Sequence, residues 1–257
     1  MSERVISRIG VVTTLAAAVA AVGCGIAGAQ ESPTTPTRTL VPRCTTGAER
    51  RVGSADVTWA AVVERPVTAF RVPGHGSIAR FSLLNANGVP NVLGVLGERV
   101  DARCRVTWLH VALPLRPNGV TGWVLAKNLQ RASVHTRITV DLSERRVRLY
   151  RKGKLVLSSP AAIGSSATPT PLGRYYVNQR LVPSDTSGPF GPGAVGISAF
   201  SPVLTGWTQG GPIAIHGTNE PWSIGRAVSN GCIRLPNPVL RRLFKAALAG
   251  TPVLIKP

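Results

Sequence analysis

Ile213-Ala214-Ile215-His216-Gly217-Thr218, followed after a gap by Ser229-Asn230-Gly231-Cys232-Ile233-Arg234, is the stretch on which the reading of this chain turns. An apolar run leads into His216 and a glycine follows it. That places an imidazole at the end of a strand, where it can leave the sheet instead of packing within it. A thiol is a useful nucleophile only as thiolate, and an imidazole within hydrogen-bond reach takes its proton and returns it to a leaving group. Gly231 allows close backbone approach, so the amides of Asn230, Gly231 and Cys232 can converge on a developing oxyanion. Taken singly, Cys232 reads as an inert core thiol and His216 as a satisfied buried histidine. Together, beside glycines and polar loop residues, they read as nucleophile and base.

Downstream, Asn237 is expected to cap a helix with Pro238 in its first turn, and Val239, Leu240, Leu243, Phe244, Ala247 and Leu248 form its apolar face. Arg241, Arg242 and Lys245 take the opposite face, and 251–255 returns as a last strand. Upstream, Ile138, Val140 and Leu142 alternate with polar residues, as do Val147 and Leu149, and Lys152-Gly153 turns the chain into Leu155-Val156-Leu157. The Gly-, Pro- and Ser-rich segment 164–211 is expected to be loop rather than core, and to act as a lid. The second half, residues 133–257, is therefore mainly β with a little helix.

In the first half, 57–63 and 106–111 are strand candidates and Asn87-Gly88 marks a turn. Short strands without helical period predict a small all-β barrel over residues 51–131. Trp108-Leu109-His110-Val111, the Pro117-Asn118-Gly119 excursion and Gly122-Trp123-Val124 resemble the closing hairpin of bacterial SH3-like wall domains.

The chain opens with Arg4 and Arg8 before an uncharged apolar run, Ile9 through Val22, and then Ala27-Gly28-Ala29, which reads as a signal peptide over residues 1–29. Ala21-Val22-Gly23-Cys24 offers the competing site, lipidation on Cys24. Either route delivers the protein to the periplasm or cell wall. Residues 30–50 read as a flexible linker, with spaced prolines in Glu31–Thr37. In an oxidising compartment Cys44 and Cys104 can pair, which leaves the Cys232 thiol free.

Thirty basic against 11 acidic residues give a formal charge of +19 across 257 residues, which favours anionic partners. The export signal and the lack of nucleic-acid motifs exclude nucleic acid and leave anionic wall polymers or a membrane surface. His75, His110 and His135 stand at no metal-ligand spacing, so no metal and no cofactor is expected.

The pair His216-Gly217-Thr218 and Ser229-Asn230-Gly231-Cys232-Ile233-Arg234, with Thr168-Pro169-Thr170-Pro171-Leu172-Gly173 upstream, resembles the L,D-transpeptidase catalytic domain over the last half of the chain. The resemblance implies a β-sandwich-like fold and a flexible cap. It implies acyl transfer on peptidoglycan stem peptides, with release of D-alanine from a Cys232 acyl-enzyme. Hydrolysis by an L,D-carboxypeptidase and non-catalytic wall binding are the alternatives. It also implies that His216 is base and then acid, and that Ser229 or a nearby backbone carbonyl orients the imidazole. Asn230 and Gly231 are assigned to the oxyanion hole, and Gly217, Thr218 and Arg234 to substrate, with Arg234 alternatively supporting the loop. Asn230 stands where many members carry a second histidine, and Leu235 where methionine often follows the arginine.

Overall fold

Alternation of apolar and polar residues builds most of this chain into strands, and a computed structural model describes residues 44–54 and 56–257. The expected signal peptide, Cys24 and most of the expected linker lie outside the described residues. The first sheet collects β1 (Glu49–Arg51), β2 (Thr58–Val63), β3 (Val67–Val72), β4 (His75–Phe81), β5 (Val92–Val100), β6 (Val106–Ala112), β7 (Thr121–Leu125) and β8 (Leu129–Val134). Their order is β4-β3-β7-β6-β5-β2-β8, with β1 added on β5. Leu93, Leu109, Val111 and Val124 are fully buried in its core. The Trp108–Val111 and Gly122–Val124 segments pair antiparallel, and Gly88 takes the positive φ of the turn at Asn87-Gly88. A Cys44–Cys104 disulfide ties the entry of β1 to the turn between β5 and β6.

The second sheet begins at β9 (Thr136–Asp141) and β10 (Arg146–Arg151), joined through the turn at Arg145, and continues with β11 (Lys154–Pro160). After the short β12 (Ile163–Gly164) come β13 (Gly173–Leu181), β14 (Ala194–Phe200), β15 (Pro212–His216), β16 (Ala227–Ser229) and β17 (Ile233–Arg234). The chain ends with α1 (Asn237–Ala246) and β18 (Pro252–Lys256). The sheet order is β11-β10-β9-β18-β13-β14-β15-β17, and β12 pairs separately with β16. All described residues fall in one compact unit. No helix among them is long and apolar enough to cross a membrane.

Two expectations need correction. Segment 164–211 is not loop throughout, because β13 and β14 cross the middle of the sheet with Val177, Val195 and Ile197 in the core. Its glycines and prolines cluster between short apolar runs, and the runs Tyr175-Tyr176-Val177 and Ala194-Val195 are what the strands are made of. Only the turns around them remain loop. Asn237 is the first helical residue and not the cap, a place taken by Pro236. Its amide side chain accepts a hydrogen bond from the Thr218 N–H at 2.8 Å instead. The helix buries Leu240 and Leu243, and Ala247 just beyond it, while Leu248 is exposed.

Candidate active site

His216 arrives on β15 and Cys232 just ahead of β17. These strands are parallel, with Ile215 opposite Ile233 and His216 opposite Arg234. Side chains alternate across a sheet, so Ile215 and Ile233 share the buried face while His216 and Arg234 share the other. Both isoleucines are fully buried. Cys232, one residue before Ile233, lies on the His216 face at the level of Ala214, with whose backbone it hydrogen-bonds.

The imidazole is fixed by the backbone. His216 Nδ1 lies 2.6 Å from the Gly217 carbonyl oxygen. A carbonyl only accepts, so Nδ1 carries the proton and Nε2 presents a lone pair. The Phe190 ring meets the imidazole edge-on, with centroids 4.9 Å apart. Of the two orienting groups the resemblance implies, the carbonyl takes this place. The Ser229 hydroxyl is spent in its own loop, donating to the Cys232 carbonyl at 2.5 Å and accepting from the Gly231 N–H at 3.1 Å.

Burial pushes the imidazole from its ordinary 6.5 down to about 4; the Gly217 hydrogen bond opposes this and the Arg234 charge adds to it. Burial also pushes the Cys232 thiol up, against the Ala214 backbone hydrogen bond and the Arg234 charge. At neutral pH the two groups are therefore a neutral thiol and a neutral imidazole.

The Thr168-Pro169-Thr170 landmark holds the Cys232 loop by its carbonyls. Thr168 Oγ1 donates to Ser229 O and Thr170 Oγ1 donates to Gly231 O, both at 2.9 Å. The Ser165 N–H reaches Ser229 O at 3.0 Å, and Thr170 Oγ1 also accepts from the Gly164 N–H at 2.9 Å. Sequence reading singled out this landmark but gave it no task. Two threonines at alternate positions were the available signal. Gly231 sits at φ +108°, where a side chain is strained, and this reversal lets the loop turn Cys232 toward the sheet.

The remaining assigned residues are placed as follows. Asn230 is exposed at the loop tip, and the Gly231 amide is occupied by Ser229. Thr218 is buried, its N–H donating to Asn237 Oδ1 and its hydroxyl accepting from the Glu220 N–H. Gly217 is where two loops touch: a Cβ there would lie 2.4 Å from Asn237 Oδ1 and 2.7 Å from Pro192 Cδ. Its N–H donates to Phe190 O at 3.0 Å, so the loop between β13 and β14 is seated directly beside His216. The Arg234 guanidinium is paired with the Glu220 carboxylate. Glu220, which sequence reading missed, carries no motif signal of its own. No three His, Cys, Asp or Glu side chains cluster as metal ligands among the described residues.

Residues 135–255 match the family model YkuD, described as the L,D-transpeptidase catalytic domain. The "Putative L,D-transpeptidase YkuD" of Bacillus licheniformis is 40% identical over 121 residues, 47% of this chain and 66% of that protein. The Bacillus subtilis protein of the same name is 35% identical over 118 residues, 46% of this chain and 64% of that one. The chain thus spans just under two thirds of the curated relatives it matches. Among solved structures, the catalytic domain of an E. faecium L,D-transpeptidase is 28% identical, covering 47% of this chain and 96% of that one at a TM-score of 0.35. Residues 135–255 are thus similar to the YkuD family of L,D-transpeptidase catalytic domains.

Proposed function

We propose that this chain is an exported L,D-transpeptidase that forms peptidoglycan cross-links through a thioester on Cys232. The observation that carries the reading is the β15–β17 pairing, which sets a thiol and an imidazole with a free Nε2 on one face. The Cys232 proton passes to Nε2 as sulfur attacks the carbonyl between a stem's third residue and its D-alanine. The S–C bond forms and the carbonyl electrons move to oxygen. On collapse the C–N bond breaks, and His216 returns the proton to the departing D-alanine amine. An amine from a second stem then attacks the thioester, gives its proton to His216 and releases the thiol.

Proton transfer from a raised thiol to a depressed imidazole is uphill, so the closed site does not store a thiolate. Attack and proton transfer are coupled, and substrate supplies the negative charge that follows. With the Gly231 amide engaged by Ser229, the Asn230 and Cys232 amides are left to receive the oxyanion. Arg234, charged and held by Glu220, offsets that anion at longer range. The Cys44–Cys104 disulfide fits an oxidising compartment, periplasm or cell wall, and the first sheet is read as an SH3-like wall module.

Incubation of the protein with tetrapeptide stem fragments, followed by mass analysis, tests this. A cross-linked dimer with released D-alanine is expected, and Cys232→Ala abolishes it. Trimmed monomer alone means hydrolysis, and products unchanged in Cys232→Ala remove the catalytic reading.

A further inference from the structure

The hairpin of β10 and β11 turns through Lys152 and Gly153, both at positive φ, and ends in an exposed run, Arg151 to Val156. Beside it runs the outer face of α1, with Arg241, Arg242 and Lys245 exposed. Between them lies a groove of about 420 Å³, separate from the candidate site in every lining residue. Leu149, Leu157 and Ala246 supply apolar lining and Arg151, Arg242 and Lys245 its cationic groups. Val156 sits at the hairpin side of the groove with 42% of its surface exposed, on a β-bulge that interrupts the pairing with β10.

None of the six cations on this face, Arg151, Lys152, Lys154, Arg241, Arg242 and Lys245, makes an ion pair among the described residues. Elsewhere the chain spends its scarce carboxylates on its arginines: Glu98 holds both Arg50 and Arg131, and Glu144 holds Arg148. Asp56 approaches this face beside Gly153. Unpaired cations alone would suit any polyanion. Val156, exposed among them, gains nothing from a polyphosphate but is buried by acyl or glycerol carbons, as a bilayer interface supplies.

We propose that this face docks on an anionic phospholipid surface, with phosphates between Arg151, Arg242 and Lys245 and Val156 entering the interface. The inference does not depend on the acyl-transfer reading. It places the hairpin and α1, rather than the whole basic surface, against the bilayer.

The test is sedimentation of the full chain with vesicles of phosphatidylcholine alone and of phosphatidylcholine with phosphatidylglycerol. The apolar segment at 9–22 is common to every variant, so the excess binding to anionic vesicles isolates the charge effect. Replacing Arg151, Arg242 and Lys245 with Gln is expected to weaken that excess about 100-fold, at roughly 5-fold per cation. The charge-matched triple Arg65, Arg71 and Arg103→Gln, on the first sheet, is expected to cost less than a tenth of that effect. Val156→Asn keeps every charge and is expected to weaken binding severalfold. Equal losses in the two triples would show a generic basic surface and overturn the proposal. So would unchanged binding by Val156→Asn, or a groove that takes soluble polyphosphate while ignoring vesicles.

Discussion

At the scale of single residues, the site is governed by what burial does to two ionisable groups. His216 is 5% exposed and holds its proton only below about 4, whereas an unfolded histidine takes one at 6.5. The folded-state value is the lower one, so stability is fully present above 6.5 and is lost as pH falls toward 4. The loss amounts to about 3 kcal/mol at roughly 1.4 kcal/mol per unit. Denaturant titrations at pH 7 and pH 4 should show it, and His216→Gln should remove most of the difference. Under the proposed acyl transfer, the same shift keeps the His216 lone pair available in acid, and kcat/KM should hold to about pH 5 and fall with a midpoint near 4. A midpoint near 6.5 would mean that the ring is solvated. The raised thiol predicts slow alkylation of Cys232 by iodoacetamide at neutral pH, accelerating about tenfold per unit as pH rises. Removing the Arg234 charge by Arg234→Gln takes away a cation that favours the thiolate, so alkylation at a given pH should slow further. Thr170 is the third residue of consequence, 4% exposed and bonded to both Gly164 and Gly231. Thr170→Val keeps the shape and strands two backbone groups, which should cost about 1–3 kcal/mol of stability. Turnover should drop with it, because the carbonyl released belongs to the loop that carries Cys232.

At the scale of elements, legibility followed the strength of the local period. Strands that alternate cleanly, such as Ile138-Val140 and Val147-Leu149, were readable because one face of each is buried and the other is not. β14 was not, since Ala194–Ala199 is buried on both faces and leaves no alternation to detect, and glycine- and proline-rich turns flank it. Cys232 and His216 were legible as residue types at a recognisable spacing. The Gly217 carbonyl, which orients the ring, is backbone and leaves no trace in a sequence. The same holds for Asn237, whose amide reaches across 19 residues to Thr218 and whose helical position follows from Pro236 standing before it. Gly217 joins two of these elements. Gly217→Ala would press a methyl against Asn237 Oδ1 and Pro192, so the loop 182–193 should lift from His216. Limited proteolysis within Asp185–Gly191 should accelerate, with a stability loss of about 1–3 kcal/mol. Unchanged cleavage would show that the loop yields without leaving the base.

At the scale of the whole molecule, the two sheets meet through a small apolar contact and a set of polar bonds on the segment that leads into β15. The segment 201–211 joins β14 to β15, and β15 ends at His216. Arg116 Nη2, from the connection between β6 and β7, donates to Ser201 O at 2.5 Å and Gly210 O at 2.6 Å, and the guanidinium carbon Cζ lies 5.5 Å from the Phe200 ring centroid. Asn118 pairs both ways with the Phe200 backbone, donating to its carbonyl at 2.8 Å and accepting from its N–H at 2.9 Å. Asn85 and Asn87 both donate to Gln179 Oε1, at 2.9 Å each. The Arg116 and Asn118 bonds satisfy backbone groups that β14 and its following loop leave open, and a small apolar contact of Ala60, Val92 and Val134 with Ala249 lies beside them. Cooperative unfolding of the two sheets then depends on a handful of side chains. The double variant Arg116→Ala, Asn118→Ala removes the densest group and should cost about 2–5 kcal/mol at the seam, since the Arg116 bonds are charge-assisted. Calorimetry should then resolve two transitions where the native chain gives one. The first sheet should keep the higher reserve so long as its disulfide is intact, because closing a loop of 60 residues contributes about 4 kcal/mol in the chain-entropy picture. Reduction should reverse that order. A single transition in the double variant, at the native temperature, would mean that the sheets are held together by something other than the Arg116 and Asn118 bonds.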